Sequence, residues 1–242
     1  MSRNVHEATV VSIKTLARGV VEWLFRTDPP GALTFRPGQF ISVRVGEDTD
    51  GAAILRSYSL ASPPGGEELA LILKLVEGGA ASTWFSRLQV GDRMRFTGPM
   101  GFFVLDLQHV GDVVFGVTGV GMTPVLPMLD ELLQRAESGR VTVYWGNRAR
   151  EDLFWQTELE ARQRANPRLQ VRQFLTSEAT DWGAWHGERG RITPAILADL
   201  PQLTKPIFYL VGNGQMIRDV KAALVERGVD RKKQIRNEAF FQ

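Results

Sequence analysis

The 242-residue sequence predicts two domains, a small antiparallel β-barrel followed by a doubly wound α/β layer. Three observations carry this expectation. Short β-branched segments broken by turn residues fill the chain up to about Asp106. After Gly111 the rhythm changes to buried-strand runs that alternate with helical spacing. Two of those later strands end in glycine-bearing turns, "TGVGMTP" and "VGNGQM".

In the first half, "EATVVSIKTL", "GVVEWLFRT", "QFISVRV", "RSYSLAS", "ELALILKLV" and "RMRFTGP" read as six strands. "TDPPGA", "RPGQ", "GEDTDG", "SPPGGE" and "VGDR" supply the turns between them. Six close strands predict an antiparallel barrel. Only "ASTWFSRL", Ala81 to Leu88, has helical spacing here. In the second half "DVVFGVTG" is a strand, and "TPVLPMLDELLQRAES" is a helix that starts at Thr123 with Pro124 in its first turn. "RVTVYWGN" and a helix over "AREDLFWQTELEARQRA" follow, then "LQVRQFLTS" and "ITPAILADL". "PIFYLVGN", the helix "GQMIRDVKAALVERG" and a closing "KKQIRNEAFFQ" complete the alternation of a parallel sheet. The expected domains are residues 1–107 and 108–242, joined near Leu105 to Asp112.

Composition excludes several classes of function. With no cysteine, the chain has no disulfide, thiolate metal site, cysteine-ligated iron–sulfur cluster or cysteine nucleophile. His6, His109 and His186 are far apart in sequence, so no metal site is expected. A net charge of +2 does not call for nucleic acid. No run approaches the roughly 18 apolar residues of a membrane span. The opening "MSRNVHEATVVSIK" lacks the features of a signal peptide, so a cytoplasmic monomer is expected. "DRKKQIR" is either a solvated face or a docking patch for an acidic partner.

Chemistry concentrates in a few stretches. In "RSYS" a cation, an aromatic ring and hydroxyls fall within four positions of one strand. Arg56 is either a surface ion-pair residue or a partner for an anion, and Tyr58 is either a core edge or a stacking face. In "VEGGAAS", Gly78 and Gly79 precede Ser82 at a helix start, where free amides suit a phosphate and a simple helix cap is the alternative. "TGVGMTP" departs from G-x-G-x-x-G because Pro124 stands where the last glycine would be. Gly119 and Gly121 there permit close approach to a pyrophosphate. Two glycine-rich mouths on one sheet make a nucleotide crevice more plausible than one alone.

Taken in order, "RPGQF", "RSYSLAS", "GGAAS", "VGDRMRFTGPMGFFVLD", "TGVGMTP", "YWGNRAREDLFWQTEL", "VGNGQMIRDVKAAL" and the terminal "NEAFF" resemble the ferredoxin–NADP reductase family, in its bacterial flavodoxin/ferredoxin branch. The resemblance runs from about Thr34 to the C-terminus. It implies FAD and NADP(H), with NAD(H) as the other choice of nucleotide. In the first domain Tyr58 would lie against the isoalloxazine, Ser59 would hydrogen-bond near its N5, and Arg56 would pair with its pyrophosphate, with Ser57 in the same motif. Ile72, Leu73, Lys74 and Leu75 would line the flavin through backbone groups, and Gly79, Ala80, Ala81 and Ser82 would cradle its phosphate. Gly119, Val120, Gly121 and Pro124, with Gly212, Asn213, Gly214 and Met216, would hold the nicotinamide nucleotide. Phe240 or Phe241 would cover the other flavin face, which places Tyr58, Ser59 and Phe240 at the reacting centre.

The resemblance is not uniform. Val120 and Val211 stand where many members have threonine and cysteine, a loss of polar contact near the nicotinamide. Arg148 and Arg191 fall where NADPH-using members have arginines, and Arg189 adds charge. Thr176 and Ser177 occupy the place of a Ser-Arg pair, and Glu178 after them would repel a phosphate. The charge balance leans to NADPH. The implied activity is hydride exchange between NADPH and FAD with single electrons passed to or from ferredoxin or flavodoxin. The alternatives are an NADH-dependent reductase component of an oxygenase, or a free-flavin reductase.

Overall fold

The structure, a computed structural model, describes residues 5–29, 33–135, 139–177 and 185–240. Glu178 and Phe241 lie outside the described residues. The chain divides into two compact units, one built from the residues up to Leu105 with Thr123–Asp130, the other from Asp106–Met122 with Glu131 onward.

The first unit contains the six expected strands: β1 (Val5–Ala17), β2 (Val20–Asp28), β3 (Phe40–Glu47), β4 (Ala53–Ser59), β5 (Glu68–Lys74) and β6 (Arg93–Met100). They form one antiparallel sheet in the order β4-β3-β6-β1-β2-β5. A helix, α1 (Ala80–Arg87), follows β5. Alternation along β2 turns Trp23 and Phe25 inward, where they join Ile41, Leu69, Leu71, Phe85 and Phe96 in one core. Burying each such side chain contributes about 1.5–3 kcal/mol. The sheet curls without becoming a fully laddered barrel. Its two end strands, β4 and β5, share no ladder among the described residues. Just past β4, Ala61 N donates to Ala70 O on β5 at 2.9 Å, and Ala70 N donates to Ser62 Oγ at 3.2 Å.

The second unit is a parallel sheet in the order β10-β9-β8-β7-β11-β12. Its strands are β7 (Val113–Thr118), β8 (Val141–Asn147), β9 (Leu169–Leu175), β10 (Glu188–Arg189), β11 (Ile207–Asn213) and β12 (Ile235–Phe240). β7, β8 and β11 read as unbroken apolar runs because a parallel sheet is covered on both faces. The helix α2 (Met122–Leu133) follows β7, and its residues Thr123–Asp130 are counted with the first unit; the helices of the second unit are α3 (Gln156–Ala165), α4 (Ile192–Asp199) and α5 (Gly214–Glu226). Ile192 and Ile196 of α4 and Ile217, Val220 and Leu224 of α5 pack with Val114, Tyr144, Phe208 and Leu210 of the sheet. At the opposite end of the strands the buried carboxylate of Asp112 accepts from Arg140 N and Thr204 N, each at 2.8 Å, and fixes where β7 begins.

One expected helix is shorter than its pattern. A helix over "AREDLFWQTELEARQRA" becomes a 3₁₀ turn at Arg150–Asp152 and then α3 from Gln156. Between them Trp155 takes a left-handed φ of 55°, and the chain turns Phe154 edge-on to Trp145, with centroids 5.2 Å apart. Burying Phe154 outweighs one more helical turn.

Candidate functional site

In the antiparallel unit the "RSYS" residues occupy the end of an edge strand. Arg56 and Tyr58 share one face of β4, and Ser57 and Ser59 take the other. Arg56 and Ser57 are exposed, Tyr58 is half-buried and Ser59 is buried. Tyr58 meets the ring of Phe85 edge-on, with centroids 5.1 Å apart and planes at 81°. Phe85 is fully buried and also touches Trp23 and Trp84, each at 4.9 Å. Phe85 therefore locks the aromatic of the strand motif to the helix that begins with the "GGAAS" residues. Burial pushes the Tyr58 phenol up to about 12, and the nearby Arg56 charge opposes that only partly. The ring is neutral across ordinary pH and can stack on a flat ligand.

α1 starts without any side-chain cap, so the amides of Ala80, Ala81 and Ser82 have neither helix nor side-chain partners. The Ser82 hydroxyl accepts from Val76 N at 2.8 Å, so it braces the turn and keeps its own proton to donate. Ile72, Leu73 and Lys74 pair with β2 on one side only, and Leu75 N donates to Gly19 O at 2.7 Å. An uncapped helix start, an open strand edge and a neutral aromatic are what a flavin dinucleotide requires. These residues fit FAD, and the resemblance assigns them to it.

In the parallel unit the predicted nucleotide residues gather at the carboxyl ends of the strands. β7 and β11 are neighbours although β8 to β10 run off one side and β12 off the other, so the strand order reverses between them. Gly119, Val120 and Gly121 form a 3₁₀ turn after β7, and Pro124 lies buried within α2. Gly212, Asn213 and Gly214 lie opposite, at the end of β11. The two turns pack on each other, and the glycines are there for that. A Cβ on Gly121 would come 2.7 Å from Val211 O, and one on Gly212, with φ of 120°, would come 2.4 Å from Thr118 Oγ1. At Gly119 the space is open for a ligand to approach, and at Gly214 an added Cβ would meet just the end of the Arg218 side chain, at 3.4 Å.

Asn213 is a structural cap. Its Oδ1 accepts from Gln215 N and Met216 N at 2.9 and 3.1 Å, and its own amide donates to Thr118 Oγ1 at 2.8 Å. Trp145 Nε1 donates to Gly119 O at 3.0 Å and holds the first turn from below. Val211 is fully buried, whereas Val120 is half-buried on the turn, so only Val120 offers surface at the mouth.

The charged residues divide into two groups. Arg148, exposed at the end of β8, sits beside Ser177 and Thr176: Ser177 N donates to Arg148 O at 2.7 Å and Thr176 N to Asn147 O at 3.2 Å. Arg191, the residue before α4, instead faces α5, with its Nη1 3.6 Å from Asp219 Oδ2. Phe240 ends β12, half-buried and in register with Asn213. Sequence reasoning missed Phe85, Thr118, Trp145 and Asp219. The adjacent aromatics Trp84 and Phe85 in a short amphipathic helix were a usable signal; an exposed aspartate such as Asp219 gave none.

Residues 7–105 match the Oxidoreductase FAD-binding domain family and residues 117–222 the Oxidoreductase NAD-binding domain family. Ferredoxin--NADP reductase B of Sorangium cellulosum is 30% identical over 231 residues, 93% of this chain and 94% of that protein. The chain belongs to the ferredoxin–NADP reductase family. As a member it is an oxidoreductase that binds FAD and a nicotinamide nucleotide. Other relatives of this family member serve oxygenases. The phenol 2-monooxygenase reductase component DmpP of Pseudomonas is 34% identical over 169 residues, 69% of this chain and 46% of that protein. A cytochrome P450 reductase of Amycolatopsis has the same fold, with a TM-score of 0.85, 27% identity, and coverage of 98% of this chain and 70% of the other. So does a ferredoxin NADP+ reductase of Neisseria gonorrhoeae with bound FAD and NADP, at a TM-score of 0.83, 23% identity, and 98% and 99% coverage. Among the described residues no helix is long and apolar enough to cross a membrane, and no cluster of three or more metal-ligating side chains occurs.

Proposed function

We propose that this oxidoreductase exchanges a hydride with NADPH and passes single electrons to or from ferredoxin or flavodoxin. The observation that carries the reading is that Arg148, Ser177, Arg191 and the two glycine-bearing turns all lie at strand ends on the carboxyl edge of one parallel sheet. Guanidinium groups on that edge suit a 2′-phosphate, and a relative similar over nearly its whole length is a ferredoxin–NADP reductase.

FAD supplies the conversion between two-electron and one-electron transfer. The protein's own part is to bind and orient. Tyr58 offers a neutral stacking face, held by Phe85, and Ser59 a buried hydroxyl at the strand end. The uncapped start of α1 takes a phosphate, and Arg56, free of any acidic partner among the described residues, takes the pyrophosphate charge. With no cysteine, this chain has no cluster to receive single electrons, so a separate carrier takes them.

A second reading is an NADH-dependent reductase component of an oxygenase or a free-flavin reductase. It draws on the oxygenase components among the relatives, of which this chain spans about half the length, and on the carboxylate beside Arg191. Parallel assays with NADPH and NADH, each with ferredoxin, flavodoxin and free FMN as acceptor, separate the two. Faster turnover with NADPH and a protein carrier supports the first reading. Faster turnover with NADH, or reduction of free flavin alone, overturns it.

A further inference from the structure

Arg191 is not simply an exposed cation awaiting an anion. Its guanidinium lies 3.6 Å from Asp219 Oδ2. The other oxygen of that carboxylate accepts from Gln215 Nε2 at 2.6 Å, and Gln215 Oε1 in turn accepts from Arg218 Nη2 at 2.7 Å. Gln215 is itself fastened by its backbone amide to the Asn213 cap. The chain of contacts therefore runs from the cap of α5 through Gln215 to the carboxylate and ends on Arg191. Asp219 is oriented by the same turn that forms the mouth, so its charge stands at a set place beside the arginine.

We propose that Asp219 is a specificity-determining residue that competes with the 2′-phosphate of the nucleotide for Arg191. This rests on the reading of Arg191 as a nucleotide-binding residue. A 2′-phosphate that approaches the guanidinium meets a carboxylate already engaged there and must either displace it or sit against a like charge. A 2′-hydroxyl meets no such opposition and can donate a hydrogen bond to the carboxylate. Asp219 thereby narrows the preference for NADP over NAD that the arginines would otherwise create. Both side chains are solvent-exposed, 76% for Arg191 and 38% for Asp219, so the effect is moderate and screened by salt.

The test is calorimetric binding of two adenosine fragments, 2′,5′-ADP and 5′-ADP, to the FAD-loaded protein. Asp219→Asn is expected to bind 2′,5′-ADP about two- to fivefold tighter at low ionic strength, with 5′-ADP bound no tighter than by the parent. The gain should vanish in the Arg191→Gln background. Equal changes for both fragments, no change, or a gain that persists without Arg191 overturns the inference and leaves the nucleotide site standing. Failure of the wild-type protein to bind either fragment overturns that reading of the site, and the inference with it.

Discussion

The guanidinium of Arg172 grips both carboxylate oxygens of Glu188, Nε to Oε1 at 2.5 Å and Nη2 to Oε2 at 2.7 Å. Its remaining nitrogen bonds Asp199, which also accepts from the Tyr144 hydroxyl, and its plane lies over the Tyr144 ring at 5.1 Å. One side chain on β9 thus holds the two-residue strand β10, the end of α4 and a ring on β8. The bonds to Glu188 raise the Arg172 pKa still further, and burial followed by the Asp199 bond raises that of Tyr144, so the group stays charged and the phenol neutral. Arg189 and Arg191 come one and three residues after Glu188, which makes this fork the anchor of the segment that carries them.

Arg172→Met is expected to destabilise the parallel unit by about 1–2 kcal/mol, a value reduced because Glu188 and Asp199 remain partly hydrated. Arg172→Lys should not restore the loss, because an ammonium cannot form the two-pronged contact. Urea unfolding measures the stability, and binding of 2′,5′-ADP should weaken in both variants as the Arg191 segment loosens. A fully stable lysine variant would show that the fork is incidental.

Phe85 joins Tyr58 to α1, so a cavity there should act on the flavin site from within the core. Phe85→Ala removes a fully buried ring and is expected to cost about 3–5 kcal/mol. FAD should also dissociate more readily, because Tyr58 and the start of α1 lose their common support. Phe85→Leu, which refills part of the space, should recover most of the stability and less of the FAD affinity. Flavin release followed by fluorescence reads the second effect. Equal FAD retention in all three proteins would separate the core from the site.

Much of this was legible in the sequence because it is local. Continuous apolar runs such as "DVVFGVT" and "IFYLV" mark strands wherever they fold, and the six strands of the antiparallel sheet and β7, β8, β9 and β11 lie where the pattern puts them, whereas the two-residue β10 has no apolar run to announce it. The carboxyl-edge convergence follows once the strands are parallel. What was not legible depends on partners distant in the chain. Gly121 and Gly212 look like ligand-approach glycines, yet each is needed because the other turn packs against it. Arg191 and Asp219 meet only because α4 packs beside α5. The helix expected from Ala149 starts only at Gln156, because Trp155 takes a left-handed φ, and only the fold shows that Phe154 packs edge-on against Trp145.

The glycine result leads to a direct expectation. Gly212→Ala places a methyl group 2.4 Å from Thr118 Oγ1 in a backbone conformation that alanine rarely adopts, and the Thr118–Asn213 bond must break or the turn must shift. A stability loss of about 2 kcal/mol or more is expected, with nucleotide binding lost before FAD binding. Gly119→Ala meets no atom but must hold a left-handed φ of 51°, so it should cost about 1 kcal/mol, less than Gly212→Ala, and should act chiefly on the nucleotide. Parallel melting curves and binding titrations would show the order, and equal damage from both changes would remove the distinction.

The Tyr58 phenol supplies a pH signature. The folded protein holds this proton up to about pH 12, whereas the unfolded chain releases it near 10. The stabilising contribution of the neutral ring is therefore complete below pH 10 and is lost as the pH rises towards 12. Tyr58→Phe should fall less steeply in stability over that interval than the parent, while the two curves run parallel below it. Chemical denaturation at stepped alkaline pH makes the comparison, and identical slopes would show that Tyr58 titrates as in free solution.

Phe240 closes β12 in register with Asn213, at the carboxyl edge where the nucleotide residues gather. If its ring covers the flavin, as the family resemblance implies, it must leave before the nicotinamide can approach. A binding site that is open only part of the time has its apparent affinity reduced by that fraction. Phe240→Ala removes the competitor for the place, so NADP+ should bind severalfold tighter. Hydride transfer should change as well, because the nicotinamide no longer has to wait for a ring to leave before it approaches. The variant must retain its yellow colour and melting temperature for the comparison to hold, and a half-buried strand-end residue makes that expectation reasonable. Spectral titration with NADP+ and single-turnover reduction by NADPH give the two quantities. If both stay at the parent's values, Phe240 is an ordinary strand end and the cover must be sought elsewhere.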